Sequence, residues 1–126
     1  MKIMSVFGTR PEIIRLSRIF PLLDANFQHV MVNTNQNFTP ELNSIFFSEL
    51  NIRKPDYNLK IKTGQFGTEV AKIISQTEKI IIKEKPDIML ILGDTNSGLS
   101  AIVAAHYGVK IIHLEAGMRA YDFRMP

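Results

Sequence analysis

The sequence predicts an α/β domain built on a doubly wound parallel sheet. Five short apolar stretches alternate with four segments of helical periodicity, and short polar turns join them. The stretch Ile88–Leu92 is apolar throughout, which is typical of a strand at the centre of a parallel sheet. Hydrophobic residues make up 45% of the 126 residues, so one domain with a substantial core is expected.

The first strand is predicted at Ile3–Phe7, where a short apolar run ends at Gly8. One helix follows, because Pro11 suits a first helical position and apolar residues recur with helical spacing as far as Leu23. Val30–Val32 is the second predicted strand.

The second helix is predicted to begin at Thr39-Pro40-Glu41 and to run to about Leu50, with Leu42, Ile45, Phe46 and Leu50 facing the core. Tyr57–Ile61 is predicted to be a short third strand. After a loop, Thr68 is expected to cap a long third helix that carries most of the lysines on a solvated face.

Ile88–Leu92 is the fourth predicted strand, and a helix is expected from about Ser97 to Tyr107. Gly108 is placed to end that helix, and Val109–Leu114 is the fifth strand. The sequence then stops without a closing helix, so we expect an incomplete domain. Core positions beyond the fifth strand should then be exposed, namely Met118, Phe123 and Met125.

Composition excludes several classes of site. The chain has no cysteine, which excludes disulfides, thiolate metal sites and a cysteine nucleophile. No pair of histidines has metal-ligand spacing, so no metal site is predicted. The net charge of +3 and the solvated lysines do not indicate nucleic-acid binding. No apolar run approaches the ~18 residues of a membrane span and no signal peptide is evident, so a cytoplasmic protein is expected.

Three polar clusters follow predicted strands, at the sheet edge where open parallel sheets bind ligands. They are Gly8–Glu12, Gly93–Asn96 and Glu115–Gly117. In the first cluster, exposed backbone N–H groups and the Arg10 guanidinium suit a phosphate. The alternative is that Gly8 makes a turn, Thr9 caps the helix and Arg10 is solvated. Neither a dinucleotide-binding glycine pattern nor a phosphate-binding P-loop is present.

Asp94 and Glu115 follow adjacent apolar strands and form a candidate acid/base pair. A helix cap is the alternative role for Asp94. His113 and Glu115 are two residues apart, so they are expected on the same side of an extended strand. His113 is equally consistent with a packed strand end, and His29 is interpreted as a surface residue.

Together, three motifs resemble the non-hydrolysing UDP-N-acetylglucosamine 2-epimerases. The motifs are Phe7-Gly8-Thr9-Arg10-Pro11-Glu12, Leu92-Gly93-Asp94-Thr95 and His113-Leu114-Glu115-Ala116-Gly117-Met118-Arg119. Their order and spacing match the family over the full chain, and Pro11-Glu12 favours the non-hydrolysing branch.

The resemblance implies the amino-terminal Rossmann-like domain of a two-domain, glycosyltransferase-B-like fold with the active site between the domains. The implied reaction interconverts UDP-N-acetylglucosamine and UDP-N-acetylmannosamine for polysaccharide precursor synthesis, without a cofactor. A base removes the C2 proton, UDP leaves, and UDP adds again after protonation from the other face. Asp94 and Glu115 would be catalytic, and the substrate would be bound by Gly8, Thr9, Arg10, Arg15, His113 and Arg119. Arg15 stands where the family usually has lysine, and the family suggests a homodimer.

The resemblance also implies that the second nucleotide-binding domain is absent from residues 1–126, so this chain alone is expected to be inactive. The alternatives are a non-catalytic remnant or nucleotide-sugar-binding module, and an epimerase of a related UDP-2-acetamido-6-deoxy L-sugar. A two-domain glycosyltransferase shares the architecture, but the first and third motifs argue against it.

Overall fold

The computed structural model describes residues 1–36 and 40–124, with residues 40–44 described by their backbone alone. The strands in this part of the chain are β1 (Lys2–Phe7), β2 (Gln28–Asn33), β3 (Tyr57–Asn58), β4 (Ile88–Leu92) and β5 (Lys110–Leu114). They form one parallel sheet in the order β3-β2-β1-β4-β5. The predicted α/β class and parallel sheet are therefore confirmed.

Helices cover both faces of this sheet. They are α1 (Arg10–Leu16), α2 (Phe20–Asn26), α3 (Pro40–Glu49), α4 (Phe66–Glu84) and α5 (Ser100–His106), with a 3₁₀ turn at Asn96–Leu99 before α5. Since successive strand residues point to opposite faces, β1 contributes to two cores. Met4 and Val6 pack in a cluster with residues of α4 and α5, whereas Ile3 and Phe7 pack with residues of α1, α2 and α3.

The single helix predicted between Pro11 and Leu23 is wrong, because the structure divides it into α1 and α2. Pro21 lies in the first turn of α2. A proline there has no N–H to donate and its ring collides with the carbonyl four residues earlier, so an uninterrupted helix is excluded. The apolar stripe continues through the break, and for this reason periodicity alone did not reveal it.

Two helix predictions are wrong in detail, one on where α4 begins and one on which residue of α3 faces the core. Gln65, not Thr68, is the N-cap of α4. The Glu69 carboxylate accepts the N–H groups of Thr63 and Gly64 at 2.9 and 3.0 Å, and these bonds connect the preceding loop to the first turn of α4. The other correction concerns Ile45, which is 49% exposed.

In α3 the residue that packs against the core is Phe47, which is 4% exposed and lies 6.3 Å from the Phe7 ring. Thr39 and the Leu42 side chain lie outside the described residues. The third strand is shorter than predicted and ends at Asn58, although Leu59 and Ile61 are buried beyond it.

The β5 side of the sheet is open. Ile111 and Ile112 are 37% and 45% exposed, and Met118 and Phe123 are exposed as expected. Met125 lies outside the described residues. No helix within 1–36 and 40–124 is long and apolar enough to cross a membrane.

His29 is not a surface residue, contrary to the sequence interpretation, because its side chain is 0% exposed. Its Nδ1 lies 2.7 Å from an Asp24 oxygen and its Nε2 lies 2.8 Å from the Ser5 hydroxyl. The carboxylate can only accept, so Nδ1–H donates to Asp24, and in the neutral ring Nε2 accepts from Ser5. Burial is the largest influence on the pKa of His29 and lowers it, against the opposing effect of Asp24.

This lowered pKa predicts an acid-dependent loss of stability. Below the unfolded pKa of about 6.5 the unfolded chain binds a proton that folded His29 does not, so unfolding becomes easier as the pH falls. The free energy of unfolding should therefore decrease as the pH falls below about 6.5, where the unfolded histidine begins to bind its proton. Urea unfolding of His29→Gln should lack this slope and the exposed-site control His106→Gln should retain it. An NMR titration midpoint for His29 at or above 6.5 would contradict the argument.

Candidate functional site

The three polar clusters lie at one end of the sheet. Arg10 begins α1 three residues after β1 ends, Asp94 lies two residues after β4, and Glu115 follows β5 directly. Because β1, β4 and β5 are parallel and adjacent, their carboxyl ends share one edge. The prediction that these three residues gather at the carboxyl edge of the sheet is confirmed.

The turn after β1 differs from the expected anion cradle. The backbone N–H groups of Gly8 and Thr9 donate to one oxygen of Glu12, Oε2, at 3.0 and 2.7 Å. They are therefore already used within the protein and are not open to a phosphate. Thr9 is the N-cap of α1, as the alternative interpretation held.

Glu12 is a residue that the sequence reasoning missed. It is 3% exposed, and Oε2 also accepts the Thr9 hydroxyl at 2.8 Å. Its other oxygen, Oε1, accepts the Thr95 hydroxyl at 3.0 Å and so links the turn after β1 to the turn after β4. The sequence signal for Glu12 is its capping-box spacing from Thr9. This spacing predicts hydrogen bonds between those two residues but not the bond to Thr95.

Gly8 lies in close contact with the neighbouring turns. A side-chain carbon on Gly8 would lie 1.8 Å from the Thr34 hydroxyl oxygen and 2.9 Å from that of Ser97. These two buried hydroxyls bond to each other at 3.0 Å and so join the turns after β2 and β4. Gly8 therefore allows three turns to pack together, and its N–H is directed to Glu12 rather than to solvent.

Arg10 is exposed at the start of α1, and its guanidinium carbon lies 4.1 Å from the centre of the Phe46 ring. Stacking of this kind occupies the flat face of a guanidinium. The N–H donors lie in the plane of the group, which is the geometry that binds phosphate oxygens in pairs.

Glu115 lies beyond the end of β5, in a turn with φ of 62°. The alternation that would have aligned it with His113 stops at Leu114, so that prediction is wrong. Its Oε2 lies 2.5 Å from Nη1 of Arg15 on α1. A positive φ is uncommon for a residue other than glycine, and such conformations gather at functional sites.

His113 contacts the protein backbone instead of facing an open site. Its Nε2 lies 2.6 Å from the Gly93 carbonyl oxygen, and the Gly93 N–H donates to the Leu114 carbonyl at 3.0 Å. The residue before Asp94 is therefore bonded twice to β5. His113 fixes the position of the Asp94 turn.

Asp94 is exposed and is not a helix cap, because Thr95 is the N-cap of the 3₁₀ turn. It lines an open cavity of about 930 Å³ together with residues 118–123. Arg119 is part of this lining, and its Nη1 donates to the Met118 carbonyl at 2.9 Å. No group of three potential metal-binding side chains occurs among the described residues.

Comparison with known proteins identifies close relatives. A family model described as UDP-N-acetylglucosamine 2-epimerase matches residues 23–126. A UDP-N-acetylglucosamine 2-epimerase of Methanococcus maripaludis is 44% identical over 126 residues, which is 99% of this chain and 34% of the relative. A UDP-2,3-diacetamido-2,3-dideoxy-D-glucuronate 2-epimerase of Pseudomonas aeruginosa is 39% identical, covering 100% of this chain and 36% of that protein.

The fold agrees with that of a solved relative. The crystal structure of Methanocaldococcus jannaschii UDP-GlcNAc 2-epimerase, in complex with UDP-GlcNAc and UDP, superposes with a TM-score of 0.92 at 41% identity. The match covers 100% of this chain and 35% of that one. The chain thus spans about a third of the length of the relatives it matches.

The close packing at Gly8 predicts an unequal response to the same substitution at two glycines. Gly8→Ala should lower the free energy of unfolding by about 1–3 kcal/mol, because the new methyl group collides with Thr34. The control is Gly67→Ala in the first turn of α4, where nothing lies within 4 Å of the added carbon. It should be neutral or stabilising by up to about 1 kcal/mol. Equal changes in the free energy of unfolding of the two variants, measured by chemical denaturation, would contradict the close packing described at Gly8.

Proposed function

Because the chain belongs to the UDP-N-acetylglucosamine 2-epimerase family, we propose that it contributes acid/base groups to an enzyme that inverts C2 of a UDP-2-acetamido sugar. The observation that carries this proposal is the gathering of Arg10, Asp94 and Glu115 at the ends of adjacent strands. The same fold in M. jannaschii is that of an epimerase complexed with UDP-GlcNAc, which supports UDP-GlcNAc as the substrate.

The proposed reaction is elimination followed by addition. One carboxylate takes the C2 proton as the C1–oxygen bond breaks, so UDP leaves with the bonding electrons and a 2-acetamidoglucal remains. A proton then returns to C2 on the opposite face while a UDP oxygen bonds to C1, giving the C2 epimer. Two proton-transfer groups on opposite faces are required, and we assign these roles to Asp94 and Glu115, the exposed carboxylates that follow β4 and β5.

Arg10 is proposed to bind the UDP phosphates. The Gly8 and Thr9 N–H groups donate to Glu12, so the contribution of this turn to phosphate binding comes from the guanidinium. A guanidinium neutralises the charge that accumulates on UDP as C1–oxygen cleavage proceeds, which favours departure of the leaving group.

The remaining candidate residues divide into two groups. Arg15 orients the Glu115 carboxylate through their 2.5 Å contact, and Arg119 shares the cavity with Asp94, so both are proposed to lie beside the sugar. Gly8, Thr9 and His113 bond or pack within the protein and are proposed to support the site without contacting the substrate.

We propose that residues equivalent to the other two thirds of the relatives complete the active site. The enzyme is proposed to be a cytoplasmic homodimer. A second candidate substrate is a UDP-2,3-diacetamido uronic acid, favoured by the 39% identity to the P. aeruginosa epimerase named for that sugar. Assaying both sugars separates the two candidates. An epimerase of a related 6-deoxy L-sugar stays a further alternative.

A chimaera tests the catalytic carboxylates: residues 1–126 replace the matching third of the M. jannaschii enzyme. Asp94→Asn and Glu115→Gln should each lower kcat by about 10²-fold, the usual contribution of a positioned acid or base. Both changes are nearly isosteric, so folding should persist, and the exposed Glu49→Gln is the control. Deuterium from solvent should enter C2 during turnover of the parent chimaera. Parental turnover in both variants would assign the carboxylates a structural role, and a folded but inactive parent would favour a binding module.

Arg10→Ala should weaken binding of UDP by about 10-fold to 150-fold, corresponding to the roughly 1.5–3 kcal/mol of a charge-assisted hydrogen bond. The loss should shrink as salt is added, because the interaction is between charges. Arg18→Ala removes an exposed arginine between α1 and α2 and is the matched control. Calorimetric titration of the chimaera with UDP measures both, and equal affinities would remove Arg10 from the phosphate site.

A further inference from the structure

We propose that Glu12 is the positioning residue of the site: its buried carboxylate joins the turn that carries Arg10 to the turn that carries Asp94. The inference rests on the proposed function for the roles of Arg10 and Asp94. The carboxylate's four hydrogen bonds are observed independently of that function. We call Glu12 together with Gly8, Thr9 and Thr95 the Glu12 clasp.

The clasp uses both oxygens of one carboxylate. Oε2 accepts from the Gly8 N–H, the Thr9 N–H and the Thr9 hydroxyl at 3.0, 2.7 and 2.8 Å. Oε1 accepts from the Thr95 hydroxyl at 3.0 Å. A carboxylate that is 3% exposed is costly to bury, and four donors aimed at it offset that cost.

This arrangement fixes two backbone segments relative to each other. Arg10 lies between Thr9 and Glu12, so the clasp holds its backbone on both sides. Asp94 precedes Thr95, whose hydroxyl makes no cap bond within its own 3₁₀ turn and is instead directed across to Glu12. The two partners are 83 residues apart in sequence. Glu12 follows β1 and Thr95 follows β4, so the bond spans the point where the strand order reverses.

The same geometry argues against Glu12 as a second acid or base. Its oxygens are occupied by protein donors, and its side chain is buried while those of Arg10 and Asp94 are exposed. Glu12 acts on the reaction through the separation of the two exposed groups. A shift of about 1 Å in a positioned group can cost about 10²-fold in rate, so loosening this link should lower kcat more than it changes KM.

A double-mutant cycle tests the clasp in the 126-residue chain without any assay of turnover. Thr95→Val removes the hydroxyl with little change in shape, and Glu12→Ala removes the acceptor. If the bond exists, both single substitutions remove the same interaction. The unfolding equilibrium constant of the double variant should then be about tenfold smaller than the product of the two single effects predicts. If the alanine variant does not fold, two changes at Thr95 replace the cycle: Thr95→Val should lose stability, and Thr95→Ser, which keeps the hydroxyl, should retain it. Additive effects would overturn the clasp.

Turnover of the chimaera tests positioning. Thr95→Val should lower kcat about tenfold with KM changed less than about threefold, and Thr95→Ser should restore the parental kcat. The control is Thr77→Val, an equal change at a fully buried threonine of α4 whose hydroxyl has no partner in the described residues. Glu12→Gln should retain kcat within about tenfold, because its amide can accept from the Gly8–Thr9 turn and donate to the Thr95 hydroxyl.

The outcomes separate the two proposals. Loss of all turnover in Glu12→Gln would make Glu12 catalytic and overturn its positioning role. Equal kcat in the Thr95→Val and Thr77→Val variants would mean that the clasp only stabilises the fold, and this result would also overturn the positioning role of Glu12. An inactive, folded parent chimaera with a coupled double-mutant cycle would overturn the proposed function while leaving the hydrogen-bonded link in place.

Discussion

The parallel pairing of β1 with β2 on one side and β4 on the other is the constraint on which the rest of the structure depends. Parallel strands end at the same edge, so the turns after β1, β2, β4 and β5 meet there whatever their sequences. In the order β3-β2-β1-β4-β5, the chain adds β2 and β3 on one side of β1 and then β4 and β5 on the other, so the strand order reverses between β1 and β4. Open α/β sheets bind ligands at such a reversal, and here it is flanked by Arg10 and Asp94.

Meeting at an edge does not fix the positions of side chains, which here are held by hydrogen bonds between the segments. Thr34 bonds Ser97 at 3.0 Å, Thr95 bonds Glu12 at 3.0 Å and His113 contacts the Gly93 carbonyl at 2.6 Å. Each contact joins segments that belong to or follow different strands. Because an unpaired buried polar group is costly, the Thr34–Ser97 pair and the buried Glu12 carboxylate resist separation from their partners. Much of the polar sequence in the three motifs therefore maintains geometry.

Sequence reasoning recovered the sheet because runs such as Ile88–Leu92 carry their own signal. It also placed Arg10, Asp94 and Glu115 at one edge, since that follows from topology alone. It failed where a partner is distant in sequence: the role of Glu12 depends on Thr95, 83 residues later, and the buried His29 side chain pairs with Ser5, 24 residues earlier. The break at Pro21 was readable, but the continuing apolar stripe outweighed it. The roles of the site residues stay predictions, as does the division into domains.

Exposure of the edge has a consequence for catalysis. Arg10, Asp94 and Glu115 are accessible to water, where ion pairs and phosphate contacts are weak and screened by salt. Removing a proton from C2 and releasing UDP as an anion needs a site from which water is excluded, so that fixed charges act at close range. Tyr121 and Phe123, beside Asp94 in the cavity lining, are 96% and 108% exposed and present an apolar surface that a covering segment could bury. The described residues therefore provide oriented groups, and on the proposed function the strength of those groups comes from the part of the enzyme that closes over them.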